Sequence, residues 1–554
     1  MADAFGVADR FVDELVALTP TLATSLGIPG FDDRWDDVSP DGHAARADLA
    51  TRTRAELTPE LDHPDQWRRH AARVLDAWLA EYLERYDHRD HQLDLSHMTG
   101  PFHDTREIFD IAPAVTAEHW EAICARLETV GGMLAGYRDT LEQGRSSGRL
   151  VARRQVVSVL DQAAVLTGER SSWSALPEHL AEAGSPIPSE RLASALDEGR
   201  RGVTDFASYL EQIYLPSAPE ADGVGLERYL RAADEFLGMT IDPDEVYHWG
   251  WDEIDRIRSE MRLVGERILP GGSIREVADL LESDPARAAP TREAFLAFVQ
   301  ERQDRALAEL DGPHFDVDPR IRTLTVNLAA EGGALGAYYL PPSEDFSRPG
   351  GIWYAIPADQ QLIPLYQEVS TAYHEGFPGH HLQVGTSLAQ GDRLSRAHRA
   401  LIWYSGYGEG WALYTERLMD ELGYFELPEY RFGMLASQLL RACRVVVDLG
   451  CHLDLPIPEA APAVGGGRWD FDQAVRMMSE VALQLPEYAV SEVTRYLGWP
   501  GQAISYKVGE REILGLRDED RRRRGASFDL ADFHRRLLTG GEVRLDMLTA
   551  MVLA

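Results

Sequence analysis

Apolar residues recur at the 3.6-residue period of an α-helix over most of the chain, and that period predicts its elements. The clearest runs cover 5–18, 66–86, 120–141 and 226–237. A further long amphipathic run, 246–264, follows Asp242-Pro243-Asp244, which has the chemistry of a turn and a helix N-cap. Gly, Pro and Ser break the pattern at 144–148, 216–225, 269–273 and 462–467, where connections are expected. One region departs from the helical period. Residues 322–328 alternate, 337–340 are apolar, and 351–356 are rich in aromatic and β-branched positions. They predict two or three short strands in a small sheet near 322–357. The fold class expected is therefore mainly α, with one small sheet.

Length adds an organisational expectation. At roughly 150 residues per domain, 554 residues suggest three or four domains. Large helical enzymes often form one body instead, so one catalytic unit over 1–554 is expected, with a helical N-terminal lobe at 1–220 and a lobe carrying the chemistry at 221–554.

Charge narrows the partners. The 91 acidic residues exceed the 55 basic ones, giving a net charge of −36. Such a surface repels nucleic acid and anionic membranes and disfavours long acidic substrates. Three scattered cysteines, Cys124, Cys443 and Cys451, are too few for a disulfide framework or a cysteine-based zinc site. The first ten residues carry acids and no apolar core, unlike a signal peptide. No apolar run approaches the roughly 18 residues of a membrane span, so a cytoplasmic setting is expected. The stretch 517–524, with four consecutive Arg at its end, reads as a solvated helix end or loop.

The candidate chemistry is concentrated in His374-Glu375-Gly376-Phe377-Pro378-Gly379-His380-His381. Zinc peptidase helices carry two His four residues apart, so that both rings reach one ion, and a Glu beside the first His that takes a proton from the attacking water. Here the first half is intact, but position 378 is Pro. On an undistorted helix His380 would point about 120° away from His374, while His381 would share its face about 10 Å further on. Pro378 cannot continue a helix in any case, and Gly376 and Gly379 permit a bulge. A two-residue bulge would deliver His380 as the second ligand, with His381 behind it, orienting a ligand or facing substrate as an auxiliary catalytic group. Satisfied histidines in a buried turn are the plain alternative, but three His and a Glu within eight residues fit packing poorly.

A catalytic zinc needs a third protein ligand and one open position. Glu409, between Gly408 and Gly410 at the start of a helical stripe of Trp411, Tyr414 and Leu418, is the candidate. Glu416 lies two turns further on nearly the same face. It could hold a ligand His or pair with Arg417.

These motifs resemble a known family. The stretches 374–383 and Glu409-Gly410-Trp411-Ala412-Leu413-Tyr414 look like the bacterial family called domain of unknown function 885. Tyr339-Leu340-Pro341-Pro342, the segments 444–452 and 500–509, and Phe533-His534 agree with it. The resemblance is strong from about 225 onward. It implies an almost all-helical, elongated body with a deep cleft, similar to helical metallopeptidases. It also implies a site of two His and one Glu of the kind found in gluzincins. It implies no particular substrate. Residues 460–467 depart from the family pattern and are expected in a surface loop.

Groups that could serve such a site lie downstream. Tyr506 could donate to a developing oxyanion. Lys507 could bind a substrate carboxylate. His452 and Asp448, four residues apart, could form an oriented pair near substrate. Tyr339, on the strand region before the histidines, could contact a substrate that pairs with the sheet edge. The reading that joins these residues is a zinc hydrolase with one ion held by His374, His380 and Glu409, and with Glu375 as general base. It would act on short peptides or small amides. A zinc amidohydrolase of non-peptide molecules, or a non-catalytic helical binding protein, are the alternatives.

Overall fold

The amphipathic runs fold as helices in the computed structural model, which describes residues 3–169, 171–329 and 336–553. The fold is mainly α. Helices Ala4–Leu18, Gln66–Asp87, Ala117–Ser146, Leu226–Leu237 and Pro243–Ile268 cover the five predicted runs. Side-chain caps set several of their starts. Asp65 accepts from the backbone N–H of Trp67 and Arg68, and Asp242 accepts from those of Asp244 and Glu245, satisfying amides that have no partner within the helix.

The described residues divide into two compact units. The first comprises 1–223 with the short returns 395–400 and 494–499. Its core is built by Ala117–Ser146 against Ser189–Tyr209, around Trp120, Tyr137, Trp173 and Phe206, all buried. The two helices approach closely where Gly131 meets Gly202: a Cβ added at Gly202 would fall 2.6 Å from the Gly131 Cα.

The second unit comprises 224–394, 401–493 and 500–554. Pro243–Ile268 packs along Pro428–Leu453, with Gly250 seated on Val445 and Val446. Ser405–Glu421 packs along Ser505–Arg524. The crossing is tight because Gly406 and Gly410 face Gly509; a Cβ on Gly509 would lie 1.8 Å from the Gly406 carbonyl oxygen. The small sheet has three strands in this unit. Gly350–Ala355 is central, parallel to Leu324–Leu328 and antiparallel to Gly336–Leu340, with Tyr339 opposite Ile352. Residues 330–335 of the predicted 322–357 region lie outside the described residues. Ala288–Ala289 and Ile363–Pro364 make a second, two-residue pairing.

Two local expectations change. Residues 517–524 are not simply solvated. They end the helix Ser505–Arg524, and Arg517 is buried with a two-pronged ion pair to Glu421. The histidine segment is not one bulged helix either. Glu368–Glu375 stops, four residues intervene, and His380–Ala389 starts a new helix. Among the described residues no helix is long and apolar enough to cross a membrane.

Candidate metal centre

Tertiary contacts hold the break between the two histidine helices open. Gln303, from the helix Arg292–Leu310, donates from Nε2 to the Ala372 carbonyl at 2.8 Å and accepts at Oε1 from the Phe377 N–H at 2.7 Å. It thereby satisfies a carbonyl and an amide near the helix end. Trp411 Nε1 donates to the carbonyls of Pro378 at 3.0 Å and Gly379 at 3.2 Å. Gly379 is needed for close approach: a Cβ there would sit 1.9 Å from the His374 carbonyl oxygen.

The break swings His380 back toward His374. The two imidazoles meet edge to face with centroids 4.9 Å apart. Glu409, near the start of Ser405–Glu421, reaches both. Its Oε2 lies 3.3 Å from His374 Nε2 and 3.7 Å from His380 Nε2. Among the described residues these three form the one group of His, Cys, Asp or Glu whose ligating atoms all fall within 4.8 Å of each other. Glu409 Oε2 is buried and makes no hydrogen bond. Donors about 2 Å from one tetrahedral ion lie roughly 3.3 Å apart, so the three atoms fit the donor set of a zinc ion.

Glu416 touches the other side of the same ring. Its Oε1 accepts from His374 Nδ1 at 2.8 Å, and its Oε2 accepts from Ser370 Oγ at 2.8 Å. The two glutamates, two turns apart on one helix, thus address opposite nitrogens of His374. Glu416 fixes the tautomer that leaves Nε2 toward Glu409. Burial opposes charge on His374, yet contact with Glu409 and Glu416 outweighs it and lifts its pKa to about 10. Burial would raise the Glu409 carboxyl, but the two imidazoles hold it well below the usual range. The cluster is thus a field that favours positive charge at its centre.

Glu375 follows directly on the helix. Burial raises its pKa, with His374 and His380 working against the rise. Arg441 also acts on it, and the Arg441 guanidinium lies 5.9 Å from the centroid of Tyr506. Arg444 lies 5.0 Å from the same ring. Arg441 therefore connects the surroundings of Tyr506 and Glu375.

Three other expectations are corrected. His381 does not face substrate. Its Nε2 donates to the Ile321 carbonyl at 2.8 Å, and its Nδ1 accepts from the Tyr339 hydroxyl at 3.0 Å. Both nitrogens are engaged, and burial lowers its pKa to about 4, so its place is to hold Tyr339. Gly350 makes room for this pair, since a Cβ there would lie 2.7 Å from both partner atoms. Lys507 is 1% exposed and has no donor left for a substrate. Its three N–H groups meet Gln438 at 2.9 Å, Glu253 at 3.0 Å and Glu510. His452 and Asp448 are also sealed, both side chains having 0% exposure. Asp448 accepts from the Tyr229 hydroxyl at 2.6 Å and from the Gly501 N–H at 3.0 Å, and so ties helix Leu226–Leu237 to the turn at 500–501.

Lys507→Met is expected to destabilise the protein by about 3 kcal/mol, because it removes the nearer of two cations from buried Glu510, leaving Arg417 at 3.6 Å, and leaves the Gln438 oxygen without its donor. Denaturant unfolding measures this. A loss confined to substrate affinity, with stability unchanged, would restore Lys507 to the binding site.

Sequence reasoning missed Gln303, Ser370 and the clamp by Trp411. Ser370 stands one turn before His374 on the same helix, a spacing that could have suggested it. Gln303 carries no local signal.

The family model described as "Bacterial protein of unknown function (DUF885)" matches residues 20–552. No curated protein matches. Among solved structures, a "putative lipoprotein" from Colwellia psychrerythraea is 23% identical, with a TM-score of 0.85 over 99% of this chain and 98% of its own. A "putative lipoprotein of unknown function" from Shewanella oneidensis is 18% identical, with a TM-score of 0.77 over 100% of both chains. At these identities the likeness is one of fold. The family match spans nearly the whole chain, and the protein therefore belongs to the bacterial DUF885 family.

Proposed function

We propose that this protein is a zinc-dependent hydrolase of amide bonds, acting on short peptides. One observation carries the reading: the convergence of His374, His380 and Glu409 within 4.8 Å, next in sequence to a half-buried acid, Glu375. His374, His380 and Glu409 would hold the ion. When bound, zinc supplies a Lewis acid that polarises the scissile carbonyl and acidifies water. Glu375 would accept the proton of the attacking water and return it to the leaving amine. Glu416 and Ser370 would keep His374 oriented. Tyr506, next to Arg441, is the proposed donor to the oxyanion.

Metal analysis tests the reading. Purified protein is expected to carry close to one zinc per chain. Stripping the zinc with a chelator should abolish hydrolysis of a peptide library, and adding it back should restore activity. Protein that carries no zinc and takes up none would end the proposal. Glu416→Ala is expected to weaken zinc about 10- to 100-fold in chelator competition, because His374 loses its orienting partner. Equal affinity in that variant would remove Glu416 from the account.

A further inference from the structure

A polar cavity lies in the same unit, lined in part by Glu368 and Thr371 of the helix that carries His374. It has a volume of about 290 Å³. That is the small end of the range for ligand pockets, suited to one side chain or a small molecule. Phe295, Ile356 and Ile363 form apolar wall, and Glu282, Glu368 and Tyr354 bring polar groups. Exposure falls from Glu282, which is exposed, through half-buried Glu368 to Tyr354, which is 3% exposed.

Three observations set the chemistry of its ligand. Among the described residues no cation is among the charges acting on either carboxylate, and each accepts one hydrogen bond, Glu368 from Thr371 and Glu282 from Tyr366. The charge acting on Glu368 is Glu282, and the charge acting on Glu282 is Asp279. Burial and this repulsion hold Glu368 up to about 7, and Glu282 is raised for the same two reasons. The Tyr354 hydroxyl is buried and makes no hydrogen bond, while its ring lines the cavity against Phe295, with centroids 4.9 Å apart. A cavity with two unneutralised acids, an orphaned hydroxyl and an apolar wall matches a positively charged head on an aliphatic or aromatic stem.

Position links the cavity to the proposed chemistry. Glu368 and Glu375 are seven residues apart on one helix, hence on one face and about 10 Å apart along the axis. Burial raises the pKa of Tyr354, and Glu368 and Glu375 both add to the rise, so both acids lie within electrostatic reach of its hydroxyl. The net charge of −36 draws cations rather than anions.

We propose that this cavity binds an organic cation, an ammonium or guanidinium on a short stem, and that it selects substrates carrying such a group about 10 Å from the bond cleaved. The second half rests on the hydrolase reading; the first does not.

The test uses full-length protein and calorimetric titration with n-butylguanidinium, against its neutral isostere n-butylurea. Saturable one-to-one binding of the cation is expected, with the urea at least about tenfold weaker. The Glu282→Gln/Glu368→Gln pair should lose about tenfold or more for the cation while keeping the zinc content of the parent. Tyr354→Phe, which removes only the orphaned hydroxyl, should weaken the cation severalfold. It decides the matter if the double variant does not fold. Equal binding of cation and urea, or undiminished cation binding in Tyr354→Phe and in the double variant, would overturn the proposal. Zinc content separates the two readings. A protein without zinc that still binds n-butylguanidinium retains the pocket and loses the hydrolase. A zinc protein that cleaves peptides but ignores the cation does the reverse.

Discussion

Glu375→Gln is expected to bind zinc as the parent does and to lose hydrolysis by a factor of about 10²–10⁴. The amide is nearly isosteric with the carboxylate and cannot accept a proton. Glu375 is not among the three residues whose ligating atoms converge, so the ion should stay. His374→Ala should differ in kind. It removes the ring that both Glu409 and Glu416 address, and it leaves buried Glu416 and half-buried Glu409 without that shared partner. Zinc should then be lost together with activity. Measuring zinc content and turnover on both variants separates the proton-transfer role from the ligand role. If Glu375→Gln cleaves at the parent rate, general-base catalysis by this residue is wrong, whatever the metal content. If His374→Ala keeps its zinc, the proposed donor set is wrong.

Gly509→Ala is expected to destabilise the protein by about 3 kcal/mol and to weaken zinc, although residue 509 lies on a different helix from every proposed ligand. Its Cβ would enter the Gly406 carbonyl at 1.8 Å and approach the Gly410 Cα at 2.8 Å. Both obstacles are backbone, which cannot rotate aside. The helices Ser405–Glu421 and Ser505–Arg524 must therefore separate, and Glu409 sits beside Gly410 at that crossing. Gly515→Ala, on the same helix but with open space where its Cβ would go, is the control. It should be neutral or stabilising by up to about 1 kcal/mol, since Ala is the better helix former. Denaturant unfolding and chelator competition on both variants are the measurements. Equal behaviour of the two would mean that the crossing does not position Glu409.

Much of this protein could be read along the chain. Helix period, caps and breakers located the long helices, because each depends on residues within about four positions of one another. The alternation at 322–328 and the apolar runs after it located the strands for the same reason. Residue type and spacing also singled out His374, His380 and Glu409, since Pro378 rules out an unbroken helix. Tertiary structure decided how the break is made. Gln303 reaches Ala372 from 69 residues away, and Trp411 reaches Pro378 from 33, distances at which no periodicity speaks. It decided that Glu416 holds the far nitrogen of His374, a choice that requires the spatial relation of two helices. It also decided burial, and burial reassigned His381, Lys507 and His452. An ionisable side chain in sequence carries the same chemistry whether it faces substrate or a buried partner. Only the packing around it determines which of its donors and acceptors are already used.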